Sequence, residues 1–255
     1  MLSAAGQLSA AQLGIYLLLV FPASYALYKH ERHGALGWSF LVAFCILRIV
    51  GAALQISDEK KHSAKITVQI VSGVGLSPLI LAVIGILYEA NHYLRGPKQF
   101  LLRFPVTIVL HLIVAAALAL VILGYQSHQE NGQVLACAGY MIFAVLWVIT
   151  LALVAFSWRQ RHCSCKSKML LMAVITSLPF LGVRILFSCI AAFDSTAFTG
   201  SIAYKIVLAV LMELSIVITL VESGIWAGNI VLENKEMDVM LARLEKAELN
   251  SGLEI

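Results

Sequence analysis

The chain has 255 residues, 60% of them hydrophobic and only 13% charged, with a mean hydropathy of +0.90. A soluble domain carries about a quarter charged residues, so this composition excludes an ordinary water-soluble globule and points to lipid as the solvent. The 18 basic and 14 acidic residues fall mostly in short clusters between long apolar runs, as loops do between membrane spans.

Seven apolar runs succeed one another, at about 12–28, 36–56, 66–88, 104–124, 134–157, 169–193 and 202–228. Most have the roughly 20 residues a helix needs to cross about 30 Å of hydrocarbon. They are too long and too continuously apolar for the alternating strands of a barrel. The sequence therefore predicts an all-α integral membrane protein, a seven-transmembrane-helix bundle over residues 1–228. A tail, 229–255, completes it. The first run is the shortest. It contains "FPAS", which predicts a bend or break there, and it reads as retained rather than cleaved.

With seven spans, one side of the membrane receives the basic residues Lys60, Lys61 and Lys65. The other receives Lys29, Arg32, Arg95, Lys98, Arg103, Arg159, Arg161, Lys166, Lys168, Lys235, Arg243 and Lys246. The positive-inside rule then puts the N-terminus outside or in the lumen and the C-terminus in the cytosol. The tail has apolar residues at Met237, Met240, Leu241 and Leu244, a helical spacing that suits an amphipathic segment lying on the membrane. The basic loops lack the interleaved aromatics that would suggest nucleic acid, so none is expected as a partner.

The cysteines carry little chemistry. Cys45, Cys137 and Cys189 fall within spans and read as small packing residues. Cys163 and Cys165 lie in the juxtamembrane "WRQRHCSCKSK", a setting open to palmitoylation but short of the ligand count and spacing of a zinc site. No phosphate-binding, dinucleotide or metalloprotease motif occurs, and no metal or cofactor is expected.

Charges inside the spans are the informative feature. A charge near the bilayer centre costs at least about 2.5 kcal/mol, so it marks a functional site by default. Arg48, Arg184 and Glu213 fall in the second, sixth and seventh runs. At about 1.5 Å per residue, all three reach one level, a little outward of the midplane. Arg184 is tolerable there if it faces the bundle interior and meets Glu213. The contexts "LRIVGAAL" and "VRILFSCI" share an Arg-Ile pair.

A purely structural ion cluster that fixes helix register would also account for these three. Two arginines against one glutamate, however, leave a positive charge that an anionic or strongly hydrogen-bonding group could meet. Glu222, deeper toward the cytosol in the seventh run, could line a cavity. Glu89, at the cytosolic end of the third, reads first as interfacial. His111 suits a helix-to-helix hydrogen bond. Asp194 reads as a turn residue, and Gln55 and Gln69 could reach the outer mouth of a cavity. Tyr16 and the other aromatics of the spans read mostly as packing or interface residues.

The segments "ILRIVGAALQI", "GVGLSPLILAVIGIL" and "LPFLGVRILFSCIAAF", followed by "FTGSIAYKIVLAVLMELSIVI", resemble a group of fungal seven-span membrane proteins. That group includes the membrane-bound terpene cyclases of the ascofuranone type. The similarity runs from the second span to the seventh. The group's pattern has a proline directly before the last span's glutamate, where this chain has Met212.

The resemblance implies a cyclase of fungal secondary metabolism, working in the endoplasmic reticulum membrane. Its substrate would be a lipophilic prenylated aromatic, a meroterpenoid intermediate whose prenyl chain bears an epoxide. An acid would start the cyclisation, and the product would be an isomer. Glu213, the carboxyl nearest mid-membrane, is the first choice for acid or base. Burial in hydrocarbon favours a neutral carboxyl, whereas a neighbouring guanidinium favours the carboxylate. If both arginines contact Glu213 directly, it is their ion-pair partner and the acid is Glu222, Glu89 or Asp194. Arg48 and Arg184 would then orient the acid or bind a phenol or carboxyl of the aromatic head. A seven-span ligand-binding receptor or a small transporter, without catalysis, is the alternative.

Overall fold

The computed structural model describes residues 3–30, 34–61, 75–92, 104–126, 131–159, 165–193, 204 and 206–229. These form helices α1 (Ala4–Lys29), α2 (Ala35–Lys61), α3 (Leu76–His92), α4 (Phe104–Gln126), α5 (Asn131–Trp158) and α6 (Cys165–Phe193). A seventh, α7, spans Ile206–Asn229. Among the described residues there is no strand. All but α3 are long and apolar enough to cross a membrane. The protein is therefore an all-helical chain with the makings of a multi-pass membrane protein.

The helices track the apolar runs closely, with physical reasons for the differences. α1 starts at Ala4 rather than near residue 12, because Ser3 caps it: its Oγ accepts the Gly6 N–H at 3.2 Å. Pro22 does not interrupt α1, contrary to the expectation from "FPAS"; the helix runs through it to Lys29. The tail and the first part of the third run, 66–74, lie outside the described residues.

Although α3 is the shortest helix, with 17 residues, it is the most enclosed. It reads "LSPLILAVIGILYEANH", apolar on every side, and a helix apolar all round has no face to give to water. Its residues Leu76, Leu79, Ile80, Val83, Ile84, Ile86 and Leu87 are all buried. It packs against α2, α4 and α6 and forms the centre of the bundle. Gly37 of α2 and Gly85 of α3 allow the closest crossing: a Cβ on Gly37 would lie 2.6 Å from the backbone nitrogen of Ile86. Small residues let helices approach in this way where lipid gives no hydrophobic drive for association.

Outward faces are apolar as well. Leu18 and Phe21 of α1 are 74% and 72% exposed, and Val109 and Leu112 of α4 also face outward. An apolar surface of this extent suits contact with lipid rather than water. Among the described residues, the charged groups enclosed in the bundle gather at two places.

Candidate functional site

The first place joins α2, α6 and α7. Glu213 is 1% exposed, and its Oε1 accepts from Arg184 Nε at 2.6 Å and from Arg48 Nη2. Arg184 Nη1 also donates to Ser188 Oγ, one turn further along α6. Ser188 Oγ in turn reaches back to the Arg184 carbonyl, at 3.2 Å. The three mid-membrane charges of the sequence thus meet at a single carboxylate oxygen. The Arg48 guanidinium lies 5.3 Å from the Phe44 ring centroid, a cation–π contact. Tyr16 of α1 packs edge-on against that same ring, 5.7 Å away.

Local sequence explains the approach. The first six residues of α7, Ile206–Leu211, are a π-helix that ends just before Met212 and Glu213. A π turn shifts the register of the residues after it and is common at functional sites. Beside Arg48, Gly75 leaves room: a Cβ there would lie 2.9 Å from Arg48 Nη2.

Among the described residues, two polar atoms here lack partners: the Tyr16 hydroxyl and Arg48 Nε are buried without a hydrogen bond. Glu213, Arg48 and Arg184 all act electrostatically on the Tyr16 phenol. Unpaired buried donors are uncommon, since each forgoes the hydrogen bond water would give it.

The second place joins α1, α2, α3, α6 and α7. Glu89 is fully buried. Its Oε1 lies 2.6 Å from His30 Nδ1 and 3.1 Å from Lys166 Nζ, and its Oε2 accepts from Trp38 Nε1 at 2.8 Å. The other nitrogen of His30, Nε2, faces the Gly224 carbonyl at 3.0 Å. A carbonyl only accepts, so Nε2 carries a hydrogen, and one further proton lies between Nδ1 and Glu89. The indole of Trp38 stacks on His30 with centroids 4.4 Å apart. Gly34 and Gly224 make the space, because a Cβ at either would overlap Glu89 or Trp38.

Lys166 and Arg184 stand eighteen residues apart on α6, so the two clusters are separated by roughly 27 Å along that helix. The candidate site residues therefore divide. Arg48, Arg184 and Glu213 form one group, and Glu89 belongs to the other. Glu222 joins neither: it is exposed on the outside of α7. Nine residues turn a helix by about two and a half revolutions, which places Glu222 opposite Glu213.

His111 Nδ1 bonds to Thr107 O of its own helix at 2.6 Å rather than to another helix. Gln55 accepts from Ser9 Oγ at 2.8 Å. Asp194, Gln69 and Cys163 lie outside the described residues. Among the described residues no three His, Cys, Asp or Glu side chains gather as metal ligands would.

Sequence reasoning misses the second cluster almost entirely. Nothing in the pattern singles out His30 or Trp38, and Lys166 reads as a loop cation. A cue is present: His30, Glu89 and Lys166 all sit at ends of apolar runs assigned to the same side of the membrane. In the first cluster, the sequence reads Tyr16 only as one of several aromatics, most of which pack and a minority of which could line a pocket and stabilise a cation.

No curated protein and no solved structure matches the chain. A family model does, over residues 2–229, a range that takes in both clusters and every described helix. The chain belongs to the family of the domain of unknown function DUF7702.

Proposed function

We propose that this protein is a membrane-bound terpene cyclase, a seven-span bundle of the endoplasmic reticulum membrane with its N-terminus lumenal and its C-terminus cytosolic. It isomerises the epoxidised prenyl chain of a meroterpenoid intermediate in fungal secondary metabolism. The excess of basic residues on one set of loops supports the orientation. α3, enclosed by its neighbours, serves as the third span. The resemblance of the second to seventh spans to ascofuranone-type cyclases supports the reaction.

One observation carries a small-molecule site: a donor-rich cluster lies inside an apolar bundle, with Arg48 Nε and the Tyr16 hydroxyl unpaired among the described residues. That suits an oxygen function on an otherwise lipophilic molecule. Both guanidiniums bond Glu213 directly, so Glu213 serves as their partner and holds them in place. The arginines then take the phenol or carboxyl of the substrate's aromatic head.

In this reading the acid role falls to Glu89 or Asp194, Glu222 being turned to the outside of α7. The acid delivers a proton to the epoxide oxygen, and a carbon–oxygen bond breaks. An internal alkene or hydroxyl attacks the electron-poor carbon. The last cation returns a proton, so substrate and product have the same composition. A dry interior protects the cation from water.

The test is an assay on microsomes from a host expressing the chain, supplied with epoxyfarnesyl aromatics. A product of unchanged mass and shifted retention, absent from boiled membranes, is the expected result. No conversion across several such substrates by folded protein would overturn the reading. In that event the second reading stands, a ligand-binding receptor or small transporter without catalysis. The geometry of Glu213, bonded directly by both guanidiniums, is compatible with that second reading as well.

A further inference from the structure

The seam between α1 and α2 has a polar order. Ser9 and Gln55 bond across it at 2.8 Å. Seven residues further along each helix, which is two turns or about 10 Å, come Tyr16 and Arg48. The helices run antiparallel, so the two polar pairs lie one below the other on facing sides. Between Tyr16 and Arg48 lies the Phe44 ring, touched by both.

Arg48 differs from Arg184 in two respects. Its side chain is 12% exposed, against 3% for Arg184. Its only hydrogen bond among the described residues goes to Glu213 Oε1, an oxygen that Arg184 also uses. The charge of Arg48 is thus partly compensated, its Nε–H is unused, and one edge is reachable from outside the bundle. Across the Phe44 ring from it stands the Tyr16 phenol, 1% exposed, with no hydrogen-bond partner among the described residues.

Resting on the reading of this cluster as a ligand site, we propose that Arg48 and Tyr16 bind the carboxylate of a lipophilic acid. The acid enters along the α1–α2 seam past Ser9 and Gln55. A carboxylate suits these groups for three reasons. It carries the single negative charge that a guanidinium sharing its counter-ion lacks. It accepts from N–H and O–H donors together, and charge-assisted bonds of this kind are the strong ones. Its apolar body continues into the surroundings that the outward faces of α1 and α2 already provide. A neutral alcohol offers neither the charge nor the second acceptor.

The test uses the full chain, purified and placed in nanodiscs of zwitterionic lipid. A fluorescent polyene fatty acid is the probe, and oleate, oleyl alcohol and phosphatidic acid are the competitors. Oleate should displace the probe saturably, with oleyl alcohol at least about tenfold weaker. Tyr16→Phe, which removes only the hydroxyl, should weaken oleate by about tenfold. Arg48→Lys keeps the charge but loses the Nε–H, and should weaken it by at least as much.

Thermal unfolding of both variants, monitored in parallel, shows whether they fold. Equal competition by oleate and oleyl alcohol would overturn the proposal, as would unchanged oleate affinity in folded Tyr16→Phe. Phosphatidic acid outcompeting oleate would overturn the carboxylate assignment in favour of a lipid phosphate. Failure of the cyclisation assay with oleate binding intact would remove the enzyme and leave this site. Turnover with no oleate binding would do the reverse.

Discussion

The two buried clusters are built on one plan with different chemistry. Each has a single carboxylate, Glu213 or Glu89, facing two basic side chains from other helices. In the first these are arginines, which do not give up their proton in proteins. In the second they are a histidine and a lysine, side chains that can. The second is also closed, since both Glu89 oxygens and both His30 nitrogens have partners. The first is left open among the described residues, with an unused guanidinium N–H and an unpaired phenol. A closed network that ties five helices together behaves as a fastening. An open one, of permanent charge, behaves as a place to receive something.

That contrast can be broken by substitution, and the largest effect should come from Glu213→Gln. It removes the carboxylate shared by two arginines that cannot shed their charge, and breaking an ion pair inside a protein costs about 3–5 kcal/mol. Thermal unfolding in detergent should show the loss, and a shift as small as that of an ordinary surface change would mean the arginines find water.

Glu89→Gln should cost less, about 2 kcal/mol, because an amide there keeps an acceptor for Trp38 or Lys166, and histidine and lysine as residue types are not the permanent charges that arginine is. If Glu89→Gln proves the more damaging of the two, the distinction between fixed and releasable charge is wrong. Trp38→Phe keeps most of the ring and removes one donor to Glu89. A hydrogen bond to a charged group is worth about 1.5–3 kcal/mol, and the variant should fall at the lower end of that range in a denaturant titration.

Glu222→Gln should do almost nothing, within about 0.5 kcal/mol, with turnover in the microsome assay unchanged. A large loss of turnover there would return the acid role to Glu222 despite its outward position.

Most of the fold was legible because lipid imposes a simple rule on sequence. Backbone groups in hydrocarbon must bond within their own segment, so long apolar runs become helices, and each described helix falls on its run. The meeting of Arg48, Arg184 and Glu213 was legible for a related reason. A charge in a span has few tolerable places, and three at one depth have one shared solution.

The second cluster was not legible. His30, Glu89 and Lys166 lie near span ends, where sequence alone admits water as the partner and asks for no other. Only packing shows that the end of α1, the start of α6 and the end of α3 close over one another and shut water out.

The sequence by itself determined the helices and the positions of the charges along them, because hydropathy and rise per residue are local properties. Only the tertiary structure decided which face each charge took, and therefore which carboxyl is held and which is turned away. Glu213 and Glu222 stand nine residues apart on one helix, yet Glu213 is enclosed by two arginines and Glu222 is exposed. The rotation of a helix about its axis is fixed by its neighbours, and here by the π turn that precedes Glu213. The unpaired Tyr16 hydroxyl and Arg48 Nε likewise belong to the assembled bundle. A donor lacks a partner only once the groups around it have been placed.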